Sequence, residues 1–410
     1  MSTEARVKSD RRIATSAAVL LGTSMGILSY GQPVLLDAII RARSISTTQL
    51  SSAASVQCLV NALAATVVII LCRRVPARQV AAGGGIACAV AVVLLATTQD
   101  VWQLYLTMSL LGITIAGCGT LVVGTFVSKY VRNRDRVLSI AFVGSSAGGM
   151  VWTPIITWGL DAGGLVGAVV PIVLGFTLLV AANALLFLRP TDLPADHVDA
   201  PQVHDGVLLR GALGMVSFWA LLIAGTVLSF AQVAGVYHAL FIWQDSDIGS
   251  AAVPGTVIAA FAGIGRVAAE LLLRSLSTVR LAVLTCAMQT AAFVLLAVGG
   301  TAPVLFLGSA LLGIAVGNSS LVVLLLVPEL FGLLDIERIS GTIYLWTGIG
   351  TSSGAAVLGL LHGAADGYLL PCLLFALLSL VSGVLLWRSG VRPVRQAPGS
   401  TRAAVNDYSA

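Results

Sequence analysis

Long apolar runs alternate with short polar ones along the chain, and the length of those runs carries the first inference. They fall near residues 13–37, 50–72, 79–98, 102–126, 137–159, 163–188, 211–236, 250–273, 279–299, 302–327, 339–361 and 367–387. Crossing the hydrocarbon core takes about 20 mostly apolar residues in a helix. A segment in lipid must satisfy its own backbone polar groups, which a helix does. The pattern therefore predicts an all-α membrane protein with twelve transmembrane helices.

The longest polar stretch inside the chain is "RPTDLPADHVDAPQVHDGVLLR", residues 189–210, with six runs before it and six after. Pro190, Pro194 and Pro201 argue against one continuous helix there. The expected organisation is a tail at 1–12, a six-helix bundle at 13–188, a linker at 189–210, a second bundle at 211–387 and a tail at 388–410. The halves echo each other. "LLGITIAGCGTLVV" at 110–123 matches "LLGIAVGNSSLVV" at 311–323, and Arg136 and Arg338 each precede a run rich in small residues. Repeats of this kind suit a carrier with its site at the interface between them.

Charge orients the pattern. All of the 23 basic residues except Arg41, Arg43 and Arg266 fall in the two tails or in alternate loops. By the positive-inside rule both termini and the linker are expected in the cytoplasm, with the chain in the plasma (inner) membrane. Composition agrees: 57% of residues are hydrophobic and 10% charged, against about 25% charged in soluble domains. The net charge of +5 is scattered, which argues against nucleic-acid binding. The six cysteines lie in or beside apolar runs without metal-like spacing and read as small packing residues. The four histidines form no metal pattern, and no phosphate-binding Gly-x4-Gly-Lys loop occurs. No cofactor and no enzymatic activity are expected, so energy would come from an ion gradient or from exchange. The first run reads as a span, with no cleavable signal peptide.

Arg266 and Glu270 stand in "AAFAGIGRVAAELLLRS", residues 259–275, inside an otherwise apolar run. A charge in a span costs at least about 2.5–3.5 kcal/mol, so such residues face a bundle interior or a cavity. Arg266 suits a carboxylate, because its planar fork matches that group. It could instead neutralise Glu270 one turn away as a structural pair. Snorkelling is disfavoured by its depth, about 12 Å from the helix end at 1.5 Å per residue.

Three segments, "RNRDRVLSIAFVGSSAGGMVWTPI" after the fourth run, "GVYHALFIWQDSDIG" after the seventh and "GIGRVAAELL" in the eighth, resemble the major facilitator superfamily. Within it they resemble the monocarboxylate transporter and oxalate–formate antiporter branch, over residues 13–388. The resemblance implies two pseudo-symmetric six-helix bundles, a substrate-binding arginine at Arg266, and a cavity lined by spans 1, 4, 7 and 10. The superfamily's 2–3 loop signature is only partly present in "IILCRRVPAR", residues 69–78. Leu71, Arg74 and Arg78 match, while Ile69, Arg73 and Pro76 replace two glycines and an aspartate. The branch's lysines on spans 1 and 11 have no counterpart, and Ala262 stands where its monocarboxylate members often carry an aspartate. One cation in the core suits a monoanion.

Candidate substrate-binding residues are thus Arg266, Tyr30, Gln32, Gln57, Asn318, Tyr344 and Trp346, each polar one having an interhelical hydrogen bond as its plainer role. Glu270 and Asp37, carboxylates placed within spans, are proton-coupling candidates. The glycines of span 4 (Gly112, Gly117, Gly119, Gly124) predict close helix packing, and His238 is expected at the outer membrane surface in a structural role. The expected function is secondary transport of a small organic anion, a monocarboxylate in particular, by proton symport or exchange for a counter-anion. The alternatives are a multidrug or hydrophobic-compound exporter of the same superfamily, and a non-transporting membrane receptor or assembly partner.

Overall fold

Residues 3–43, 45–130, 134–187, 206–246, 252–273, 275–332 and 334–388 are described in a computed structural model, and they are helical apart from short connections. Ten runs among them are long and apolar enough to cross a bilayer. One, Ile140–Phe187, has 48 residues, enough for two crossings. It reverses at Gly163 and Gly164, whose φ/ψ of −153°/21° and 60°/−147° are not helical. The second pair lies where a Cβ is strained, so a glycine is needed. A further helix, Ile336–Ala365, is 30 residues long and dotted with hydroxyl residues. Together these are twelve spans.

Span 1 is Thr3–Met25, a wider π turn at Gly26–Gly31, and Gln32–Ala42. The helix thus starts well before the apolar run does. The π turn precedes Pro33, which has no N–H to return to the preceding turn. Span 2 is Thr47–Arg74 and span 3 Ala77–Ala96. Span 4 is Val101–Cys118 and Thr120–Tyr130, interrupted at Gly119. Arg134–Leu174 carries span 5 and the start of span 6, which continues through Gly175–Ala182 and Asn183–Phe187. Spans 7 to 12 are Val216–Gln244, Ala252–Leu272, Thr278–Val298, Ala302–Phe331, Ile336–Ala365 and Leu369–Arg388. The C-terminal tail, the linker and the 7–8 loop lie largely outside the described residues. With an even number of crossings, both ends of the described chain lie on one face, here called the terminal face; the other is the distal face.

The packing is a repeat. In the first half span 1 lies on 5, 2 on 4, and 3 on both 4 and 6; in the second half 7 lies on 11, 8 on 10, and 9 on both 10 and 12. Adding six to each span number converts one set into the other. Small residues allow the approach. Gly22 and Gly26 cross Gly144 and Gly148, where a methyl built on Gly148 would lie 1.8 Å from the Gly22 carbonyl oxygen. The equivalent crossing puts Gly354 against the Phe230 carbonyl, at 2.0 Å for the same construction. In span 4, Gly112 meets Gln57 and Gly117 meets Gly84, as its glycine pattern predicts, whereas Gly124 has open space beside it.

Between the halves span 5 lies on 8 and span 2 on 11, again exchanged by the same operation. Strongly exposed apolar residues such as Trp158, Val166 and Val216 face outward, where lipid replaces water.

Candidate functional site

The two joints between halves are antiparallel, and each keeps a constant register. On spans 5 and 8 the partners are Thr153 with Gly255, Gly149 with Ala259, Ser146 with Gly263, and Phe142 with Arg266. On spans 2 and 11 they are Thr48 with Gly363, Ser51 with Gly359, Ser55 with Ala356, and Ala62 with Gly348. Each series starts at the distal face and runs inward. A methyl on Gly149 would lie 2.5 Å from the Ala259 Cβ, and one on Gly348 would lie 2.9 Å from that of Ala62. One turn beyond Gly348 toward the terminal face, Tyr344 is 51% exposed, and among the described residues a Cβ at Gly341 would meet nothing within 4 Å. Among the described residues the halves are zipped on the distal side, and the contacts of the 2–11 joint run inward as far as Gly348.

Arg266 stands at the inner end of the 5–8 joint. Its Nη1 donates to the Phe142 carbonyl at 2.6 Å, to Ser145 Oγ at 3.1 Å and to Ser146 Oγ at 2.5 Å. The guanidinium lies 5.4 Å from the centre of the Phe142 ring. Span 5 can offer these acceptors because two consecutive hydroxyls sit on its small-residue face. Sequence reasoning missed this partner, although "VGSSAGG" places two serines in an apolar span at the depth of Arg266. Among the described side chains no carboxylate pairs with Arg266. The backbone of Glu270 continues the helix one turn on, but its side chain lies outside the described residues.

Tyr30, in the π turn of span 1, is buried over Gly149, one turn from the serines that hold Arg266. Gln32 and Gln57 form a reciprocal amide pair at 2.7 and 3.1 Å, and Tyr237 of span 7 donates to Gln32 Oε1 at 3.2 Å. These two candidates satisfy each other across spans 1 and 2. Asn318 is buried, and its Oδ1 has no hydrogen-bond partner among the described residues. Its neighbour Ser319 pairs with Gln232 at 2.9 Å. Trp346, like Tyr344, is about half exposed, at 48%. Asp37 sits at the distal end of span 1, bonded to Arg41 and to Gln244 of span 7, both at 3.0 Å. Tyr30 and Arg266 are thus brought together on span 5, Gln32 with Gln57 form a separate cluster, and Asp37 lies apart from both.

His238 corrects its sequence-based expectation. It is not at a surface but fully buried, bonded to Ser51, Ala355 and Tyr368. Span 7 runs parallel to span 1 against the zipped part of spans 2 and 11, so a residue near its distal end is covered on all sides.

The family model described as Major Facilitator Superfamily matches residues 14–334, most of the chain. The chain belongs to the Major Facilitator Superfamily. No curated protein matches it in sequence. Among solved structures it is similar to an inward-facing, occupied bacterial homologue of the human lysosomal transporter Spinster, with a TM-score of 0.71 and 13% identity over 97% of this chain and 100% of that one. It is also similar to the nucleoside transporter NupG, with a TM-score of 0.69 and 13% identity over 92% of this chain and 99% of that one. At such identity the likeness is one of fold. Membership makes this superfamily chain a multi-pass membrane protein and a secondary transporter rather than an enzyme.

Proposed function

We propose that this transporter carries a small organic anion, a monocarboxylate in particular, by proton symport or by exchange for another anion. The observation that supports the reading is the position of Arg266: a cation deep in span 8, at the inner end of a joint between halves. Nη1 takes all three acceptors found among the described residues. The Nε and Nη2 edge of the fork remains for a carboxylate, which binds such an edge through two parallel hydrogen bonds. Tyr30 beside it, Asn318 with its unpaired oxygen, and the half-exposed Tyr344 and Trp346 would complete the site; Gln32 and Gln57 would join only by breaking their own pair. Rocking of the halves would expose the site alternately to each face. Glu270 and Asp37 are the carboxylates proposed to carry the coupled proton. Basic residues in the tails and alternate loops support a plasma-membrane orientation with termini and linker in the cytoplasm, which would make the zipped distal side the outer one.

The competing reading is an exporter of lipophilic compounds. It is favoured by the same bonds, because an Arg266 satisfied by span 5 can serve as a latch with no substrate role. Uptake of a panel of labelled carboxylates into proteoliposomes separates the two. Saturable carboxylate uptake supports the anion carrier; movement of lipophilic cations with none of the carboxylates would sink it.

A further inference from the structure

His238 is 0% exposed and touches both halves of the molecule. Its Nε2 lies 3.0 Å from the Ala355 carbonyl oxygen of span 11 and 3.2 Å from Ser51 Oγ of span 2. Its Nδ1 lies 3.2 Å from the hydroxyl of Tyr368, just ahead of span 12. A carbonyl only accepts, so Nε2 carries the hydrogen and donates to Ala355. Nδ1 is then the lone-pair nitrogen, accepting from the Tyr368 O–H; the tautomer follows from the partners. Ser51 belongs to the first half and the other partners to the second. The Ser51–His238 contact is therefore part of the distal closure, beside the approach of Gly359 to Ser51.

The ring's surroundings are mostly aromatic. Phe241 is 5.8 Å away between centroids, and His362 stacks on Tyr368 at 4.1 Å. The titratable groups around it are Tyr237 on its own span, His362 on span 11, Tyr368 and Cys372 at span 12, and Asp245 at the end of span 7, which acts on Tyr368. Span 2 offers the Ser51 hydroxyl and, against Tyr237, the Cys58 thiol. Among the described side chains no carboxylate bonds His238.

We propose that His238 is a proton-sensitive latch on the distal closure. The neutral ring ties spans 2, 7 and 11 together. A proton taken up at Nδ1 makes both nitrogens donors, forces the Tyr368 hydroxyl to turn, and places a cation in a buried site where no described carboxylate bonds it. Parting of spans 2 and 11 lets water reach that cation. Acid therefore shifts the protein toward the distal-open arrangement. This holds whatever solute is carried, so failure of the carboxylate reading leaves it standing.

The test uses the full chain in nanodiscs, with its native cysteines replaced and spin labels at Trp102→Cys and Leu369→Cys. Those positions begin spans 4 and 12 at the distal face and are 64% and 54% exposed. Between about pH 8 and about pH 5, the range in which histidine changes charge, the inter-label distances should shift to longer values. His238→Gln keeps an N–H for Ala355 but cannot gain a proton, so the shift should vanish. A parent protein without the acid shift, a His238→Gln protein that shifts like its parent, or a shift abolished only by His362→Gln would each overturn the proposal. Should His238→Gln fail to fold, Ser51→Ala removes the His238 bond from the span 2 side. It should lengthen the distances already at the upper pH; an unchanged distribution would overturn the latch.

Discussion

Arg266 of span 8 and Phe142 of span 5 meet twice: Nη1 bonds the Phe142 carbonyl at 2.6 Å, and the guanidinium stands 5.4 Å from the Phe142 ring. The contact joins the halves, and it lies at the inner limit of the zipped 5–8 joint. Under the anion reading a residue so placed would couple substrate to the joint, because a carboxylate on its Nε and Nη2 edge would share the guanidinium with span 5.

Arg266→Lys keeps the charge and can still reach one acceptor of span 5. It cannot reproduce a two-bond fork. Under the anion reading transport should fall about tenfold or more, the equivalent of 1.4 kcal/mol or above. Near-normal rates in initial-uptake measurements would reduce Arg266 to a latch.

Glu270 is tested with its neighbour. Glu270→Gln should abolish gradient-driven uptake and spare exchange of labelled for unlabelled solute. Removing one member of a buried pair costs about 3–5 kcal/mol, whereas removing both can be nearly neutral. An Arg266→Gln, Glu270→Gln protein that is stable and transports normally would take both out of the mechanism.

The crossing of spans 1 and 5 leaves no room for a side chain at Gly148, where a built methyl lies 1.8 Å from the Gly22 carbonyl. Gly148→Ala should cost about 1–3 kcal/mol, the range for overpacking. Thermal unfolding in detergent should show a lowered midpoint. Gly124→Ala, with nothing within 4 Å of its methyl, should not.

Gln32 and Gln57 are expected to behave as a unit. Each alanine variant leaves the other amide short of a partner, at about 1–3 kcal/mol. The double variant should lose less than the two singles together. Strict additivity in a double-mutant cycle on unfolding midpoints would show that the pair does not form in the membrane.

Topology has its own check. Tags in the 189–210 linker and at both termini should be reached from the cytoplasmic side alone, and a tag between Ile242 and Ile248 from outside. The reverse labelling pattern would invert the orientation proposed from the basic loops.

The sequence by itself determined the class of fold, because twelve apolar runs of bilayer length leave the backbone one way to pair in lipid. It also singled out Arg266, since an unexplained cation in an apolar run is costly wherever it lands. What that cation touches was decided only by tertiary structure. Phe142 and its two serines precede Arg266 by over a hundred residues, and no local pattern encodes that separation. The same limit hid the mutual satisfaction of Gln32 and Gln57, which the sequence offered as two open polar groups. It placed His238 at an exposed end where the structure buries it. Hydropathy reports a residue's distance from the end of its own helix, whereas burial depends on which other helices cross there, and the crossing of spans 2, 7 and 11 is set by small residues far apart in the chain.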